Sequence, residues 1–147
     1  MGVYNRTKRN ALEGDLTLDS STIKCLLLKS SAPVFNPDHN FVADLVPGTN
    51  EITGGSYARQ TLGSKTFAQV DASDWAEARN NELTFLAIAV GQTVGAAVVY
   101  REVTNDADSV LVGHYELADT PGAGLDMKVQ FDGTATAGAF LRARQAA

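Results

Sequence analysis

The chain predicts an all-β fold, an antiparallel β-sandwich or jelly-roll-like domain with one or two short helices, and three observations predict it. Four strand-like runs, ELTFLAIAV, AAVVYREV, VLVGHYEL and LDMKVQF, fill the C-terminal half, separated by GQTVG, TNDADS and ADTPGAG, which are turn compositions. In LDMKVQFD the alternation is complete: Leu125, Met127, Val129 and Phe131 point in, and Asp126, Lys128, Gln130 and Asp132 point out. Helical signals are confined to short stretches near the N-terminus, against roughly nine strand signals overall.

Taken in order, Val3 to Leu12 reads as a short helix ended by Gly14 in the left-handed cap position. DLTLD alternates polar and apolar residues, which places Asp15 and Asp19 on one exposed strand face. TIKCLLLKS is apolar on both faces, with Ile23, Cys25 and Leu27 on one side and Leu26 and Leu28 on the other, the pattern of a central strand. NPDHNFVADLV reads as one helical turn with Asp38 as its N-cap, and PGTN as a turn. SYARQTLGSKTFAQVDA holds two short strands around Gly63 and Ser64, followed by a polar stretch, DASDWAEARNNE. A last strand runs through GAFLRAR.

The 147 residues suit one β-rich domain, 1–147, with an N-terminal arm or helix (1–14) and an insert (33–55). Size scaling gives a folded surface of roughly 7,000 Å², enough core to dispense with staples. A net charge of −5 repels phosphate backbones and argues against a nucleic-acid partner. The single cysteine, Cys25, excludes an internal disulfide. No N-terminal run has the apolar centre of a signal peptide, and no apolar run reaches the ~20 residues of a membrane span, so the expectation is a chain made and folded in a cytoplasm.

No catalytic set emerges, so the expectation is a protein that is not an enzyme and takes no metal or cofactor. His39 and His114 lack partners at metal-ligand spacing; His114 reads as a half-exposed strand position and His39 as a surface contact. Asp106 and Asp108 lack the glycine and late glutamate of a calcium loop, leaving a solvated hairpin turn. Cys25 falls on the apolar face of a core strand, where a thiol is inert. No serine stands in a nucleophile elbow, and GTNEITGG lacks the ending of a phosphate loop. Trp75 and Tyr57 read either as sugar-stacking aromatics or as core and interface plugs.

What remains is interface-like. A connection as long as 33–55 in a small domain is uncommon. It carries Phe35 and Phe41 as apolar anchors, Asp38 and Asp44 as caps or polar rim, and His39 between them. It either reaches across to a neighbour or covers an edge of its own sheet. Arg6, Lys8 and Arg9 form a small basic patch in an acidic chain, facing a partner or complementing a helix C-terminus.

TIKCLLLKS, NPDHNFVADLV, NEITGGSYARQTL, AVVYREVTNDADSVLVGHYEL and VQFDGTATAGAFLRA together resemble a family of small tailed-bacteriophage virion proteins over nearly the whole chain. ADL followed by NEITGGSYARQTL is the most specific part; Tyr57 and Arg59, which lie in it, stand with the other partner-contact candidates. The pattern departs at Ser56, where the family often has Gly, and at Val110, where it often has Pro. The resemblance implies a β-rich virion component with no catalytic residues. A head decoration or cement protein is the favoured form, assembled in the host cytoplasm and bound to the major capsid protein lattice on the outer head surface and to neighbouring copies of itself. A tail- or fibre-associated component and a host-surface carbohydrate-binding module are the alternatives.

Overall fold

The structure, a computed structural model, describes residues 1–71, 75–134 and 137–144. Its elements in chain order are β1 (Gly2–Val3), α1 (Asn5–Glu13), β2 (Ile23–Lys29), a 3₁₀ turn (Val42–Leu45), α2 (Pro47–Asn50), β3 (Gln60–Thr61), β4 (Thr66–Val70), β5 (Trp75–Asn80), β6 (Leu83–Phe85), β7 (Thr93–Arg101), β8 (Val110–Pro121), β9 (Met127–Val129), β10 (Asp132–Thr134) and β11 (Ala137–Arg144). They form a five-stranded sheet in the order β1-β8-β7-β2-β3, a four-stranded sheet β10-β11-β5-β4 and a β6-β9 ribbon, with every neighbouring pair antiparallel. This is the expected all-β sandwich architecture.

Strand β2 explains the layering. Ile23, Cys25 and Leu27 enter a core between the sheets, against Phe85, Val112 and Phe140. Leu26 and Leu28 enter a second core on the opposite face, with Tyr4, Val42, Val98 and Leu111. The larger sheet is therefore buried on both sides, which is why its strands β2 and β7 are near-continuous apolar runs. Helix α1 ends at Gly14, whose φ of 79° lets its N–H and that of Asp15 close on the Asn10 carbonyl. Cys25 is fully buried, and burial pushes its thiol far up. A thiol reagent should therefore leave the native protein unlabelled and react as denaturant unfolds it; rapid native labelling would contradict this packing.

Several segments depart from the expectation. Residues 15–21 make turns instead of a strand: Ser21 N–H bonds to Thr17 O, Leu18 plugs the core, and Lys65 Nζ donates to the Leu18 and Ser21 carbonyls. Asp15 and Asp19 are exposed there, on turns. The polar stretch contains strand β5, hidden in the sequence because its buried Glu77 is paired with Arg79 and with Arg142 on the neighbouring β11. Burial pushes the Glu77 carboxyl up, but the two guanidiniums outweigh it and hold the group below the usual carboxylate range. Asp74 lies outside the described residues. PGTN is one turn of helix, α2, started by Pro47. Leu125 is 71% exposed in a turn, so the inward alternation begins only at Met127.

Candidate functional site

The outer core of the five-stranded sheet is closed by two segments from the N-terminal third. Strand β1 pairs with β8 through Gly2 and Val3 opposite His114 and Gly113. Farther along the same edge, Val42 N–H bonds to Ser109 O, Leu111 N–H bonds to Asn40 O, and Phe41 bridges Val110. Arm and insert together thus cover the β8 edge, one of the two readings the sequence left open. They are also joined to each other. Asn5 N–H donates to Pro37 O at 2.9 Å, and Asn5 Nδ2 donates to Asp38 Oδ1 at 2.8 Å.

Aromatic and charged contacts complete the junction. Tyr4, fully buried, meets Phe35 edge-on at 5.0 Å, and Phe35 lies 5.3 Å from the His114 ring. The Arg6 guanidinium sits 4.4 Å from the centre of the Phe41 ring. Lys8 and Arg9 are exposed; Lys8 Nζ donates to Asn5 Oδ1 at 3.1 Å, and Arg9 pairs with Glu13 at 3.3 Å. Asp44, not Asp38, is the capping carboxylate: its Oδ2 accepts from the N–H groups of Asn40 (2.8 Å) and Phe41 (3.0 Å). The Phe41 bond, with the Asn40 bond behind it, holds the Asp44 carboxyl below its ordinary value. Asp38 reaches the arm instead, because the 3₁₀ turn starts later than the sequence suggested.

His114 is only 3% exposed, not half-exposed, because the arm lies over its strand. Burial keeps its pKa below the ordinary imidazole value despite Glu116 beside it. The neutral Nε2–H form suits both neighbours: it donates to Glu116 Oε1 at 2.9 Å and accepts at Nδ1 from the Tyr4 hydroxyl at 3.4 Å. A depressed folded pKa contributes stability above the unfolded value, about 6.5, and that contribution is lost as pH falls through and below it. Urea midpoints should therefore drop between pH 7.5 and 5.5 in the native protein, and drop less in His114→Gln. Equal drops would show that His114 is not the group responsible.

Tyr57 and Arg59 serve a second junction. The free edge of β2 pairs with Glu51 and Ile52 at one end and with β3 at the other. Between them Tyr57 fills the gap: its hydroxyl accepts the Leu27 N–H at 3.0 Å and donates to Glu51 Oε1 at 2.8 Å. Arg59 forks onto Glu51 (2.8 and 2.7 Å) and onto Asp106 in the β7–β8 turn (2.5 and 2.9 Å), with its Cζ 5.6 Å from the Tyr100 ring centre. The expected solvated turn at Asp106 is thus a docking point, and the Arg59 hydrogen bonds hold its carboxyl below the usual range. Gly55 is needed beside it: at φ +62°, an added Cβ would stand 2.3 Å from the Ala87 carbonyl oxygen. The most specific stretch of the sequence, NEITGGSYARQTL, is therefore an internal staple.

Where the arm meets the insert a cavity of about 520 Å³ opens, lined by Tyr4, Leu28, Phe35, His39, Leu45 and His114 among others. Val34 and Val46 stand at its walls, 85% and 55% exposed, and Met1 beyond Gly2 is 58% exposed. Val46 carries a φ of 51°, a costly backbone for a β-branched residue, at the junction of the 3₁₀ turn with α2. Of the contact candidates, Phe35, His39 and Asp44 line this cavity, Asp38 and Arg6 tie the arm to the insert, and Tyr57 and Arg59 lie in the staple. The sequence reading missed Tyr4, Glu51, Asp106 and the exposed valines. Among the described residues no cluster of three or more histidine, cysteine or acidic side chains is placed to hold a metal ion, and no helix is long and apolar enough to cross a membrane. The Trp75 side chain lies outside what the structure describes.

No family model, curated protein or solved structure matches this chain.

Proposed function

We propose that the protein is a structural component of a tailed-bacteriophage virion, a decoration or cement protein that binds the major capsid protein lattice on the outer head surface. The observation that carries this reading is the joint face of arm and insert. Two segments are locked together by internal hydrogen bonds, yet present Val34 and Val46 to solvent at the walls of a mainly apolar cavity. Exposed apolar side chains grouped on a rigid, polar-rimmed face mark a protein-binding surface. Asn36, His39, Asp44 and Asn50 supply polar groups among the cavity's lining.

The mechanism follows from interface physics. A cement protein spans neighbouring shell subunits, so each added interface raises the cost of separating them. A standard interface buries about 1,600 Å² in total, and repetition over a lattice makes modest single contacts effective. The β-sandwich holds the face rigid, which limits the entropy lost on binding.

Quantifying this chain against the major shell protein in purified particles tests the proposal. Cement function requires copies in fixed ratio to the shell subunits, with electron cryomicroscopy density on the outer head. A few copies per particle, at the tail, or absence from particles would overturn it.

A further inference from the structure

We propose that strand β4 is a self-association edge, through which two copies of this chain join their four-stranded sheets antiparallel about a two-fold axis. Strand β4 lies at the margin of its sheet, with β5 on one side and no described strand on the other. It is five residues long, whereas the edge strands β1 and β3 have two residues each and β10 has three. Natural sheet edges are blunted by charge, proline or shortness; TFAQV has no charge and no proline. Thr66, Phe67 and Gln69 are exposed along it.

The sequence around β4 selects one occupant and one register. A two-fold axis normal to the sheet keeps every side chain on its own face, so only residues of like parity can stand opposite each other. Full overlap of Thr66–Val70 with a second copy centres the axis on Ala68. That register sets Lys65 opposite Asp71 of the other copy, twice, and Phe67 opposite Gln69. Shifting the centre by one residue either way moves Lys65 away from Asp71 and shortens the overlap. Lys65 Nζ donates to the neutral Leu18 and Ser21 carbonyls, and Asp71 is exposed and accepts from Gln69 Nε2 at 2.6 Å; among the described residues neither has an ion-pair partner. The two Phe67 rings, each 49% exposed, become diagonal neighbours across the axis. On this face Phe67 is paired in register with Ala78, and Ala78 with Leu141, along the wall of an apolar groove of about 350 Å³. The seam would extend that groove from one copy into the next. The proposal does not depend on the virion reading.

Sedimentation equilibrium and light scattering of the purified chain, from about 10 µM to 0.5 mM, test it. The native protein should form a dimer. Asp71→Lys and Lys65→Glu should each weaken it by about tenfold or more, since each sets like charges opposite at two places. An equimolar mixture of the two variants should dimerise again, because every facing pair is then of opposite sign. Circular dichroism checks that each variant folds, and Phe67→Lys, away from the Lys65 anchor, should also give a monomer. A native protein monomeric throughout, a trimer, variants that dimerise unchanged, or a mixture that stays monomeric would each overturn the proposal.

Discussion

Replacing Arg59 with alanine should destabilise the protein by about 3 kcal/mol, read as a shift in urea midpoint at unchanged slope. The guanidinium satisfies two carboxylates at once, Glu51 in the insert and Asp106 in the β7–β8 turn, and its removal leaves Glu51, with a side chain only 10% exposed, facing Asp106 without a cation. Arg59 is itself 24% exposed, which places the cost at the lower end for a broken buried network. Arg59→Lys should recover only part of it, since an ammonium cannot fork onto both carboxylates. The pH dependence follows from Asp106. Its folded pKa is lowered by Arg59, so its stabilising contribution is present above the unfolded value near 3.9 and is lost as pH falls through the folded one. Arg59→Ala should therefore flatten stability against pH between about 5 and 3. A midpoint shift under roughly 0.5 kcal/mol would mean that the staple is an exposed ion pair of little consequence.

On the proposed capsid role, binding to phage particles should fall about a hundredfold when Val34→Asp is combined with Val46→Asn, with the melting temperature unchanged or raised. Both valines already face solvent, so the folded chain loses little by the change. Asparagine also tolerates the positive φ at position 46 better than valine does. A bound partner, by contrast, would have to desolvate an aspartate without a counter-charge on a face chosen for apolar contact. Binding measured on particles stripped of this protein distinguishes the cases. Unchanged occupancy would place the contact surface elsewhere, and a lowered melting temperature would show that the valines serve the fold.

Legibility in the sequence followed the range of the signal. The two-faced apolar run of β2, the Gly14 cap and the TNDADS turn between β7 and β8 are local patterns, and the structure has them where the residues place them, whereas GQTVG and ADTPGAG, read as turns, give Thr93–Gly95 to β7 and Ala118–Pro121 to β8. Strand β5 was illegible because a buried carboxylate paired across strands looks like surface polarity until Arg142, 65 residues away, is brought beside it. His114 reads as half-exposed from its own strand, since nothing nearby reports that the arm will lie across it. Asp44 lost the capping role to Asp38 in the sequence reading because the two stand six positions apart and the start of a single turn decides between them.

By itself the sequence determined an antiparallel β protein with an apolar-sided central strand, a capped N-terminal helix and a buried thiol, because side-chain periodicity, turn chemistry and cap residues act within a few positions. Only the tertiary structure decided that arm and insert lock together over one sheet face, that Tyr57 and Arg59 face inward, and that Val34 and Val46 face out. Those outcomes rest on contacts between residues tens of positions apart, whose strength depends on desolvation and geometry that exist only after the sheets have packed.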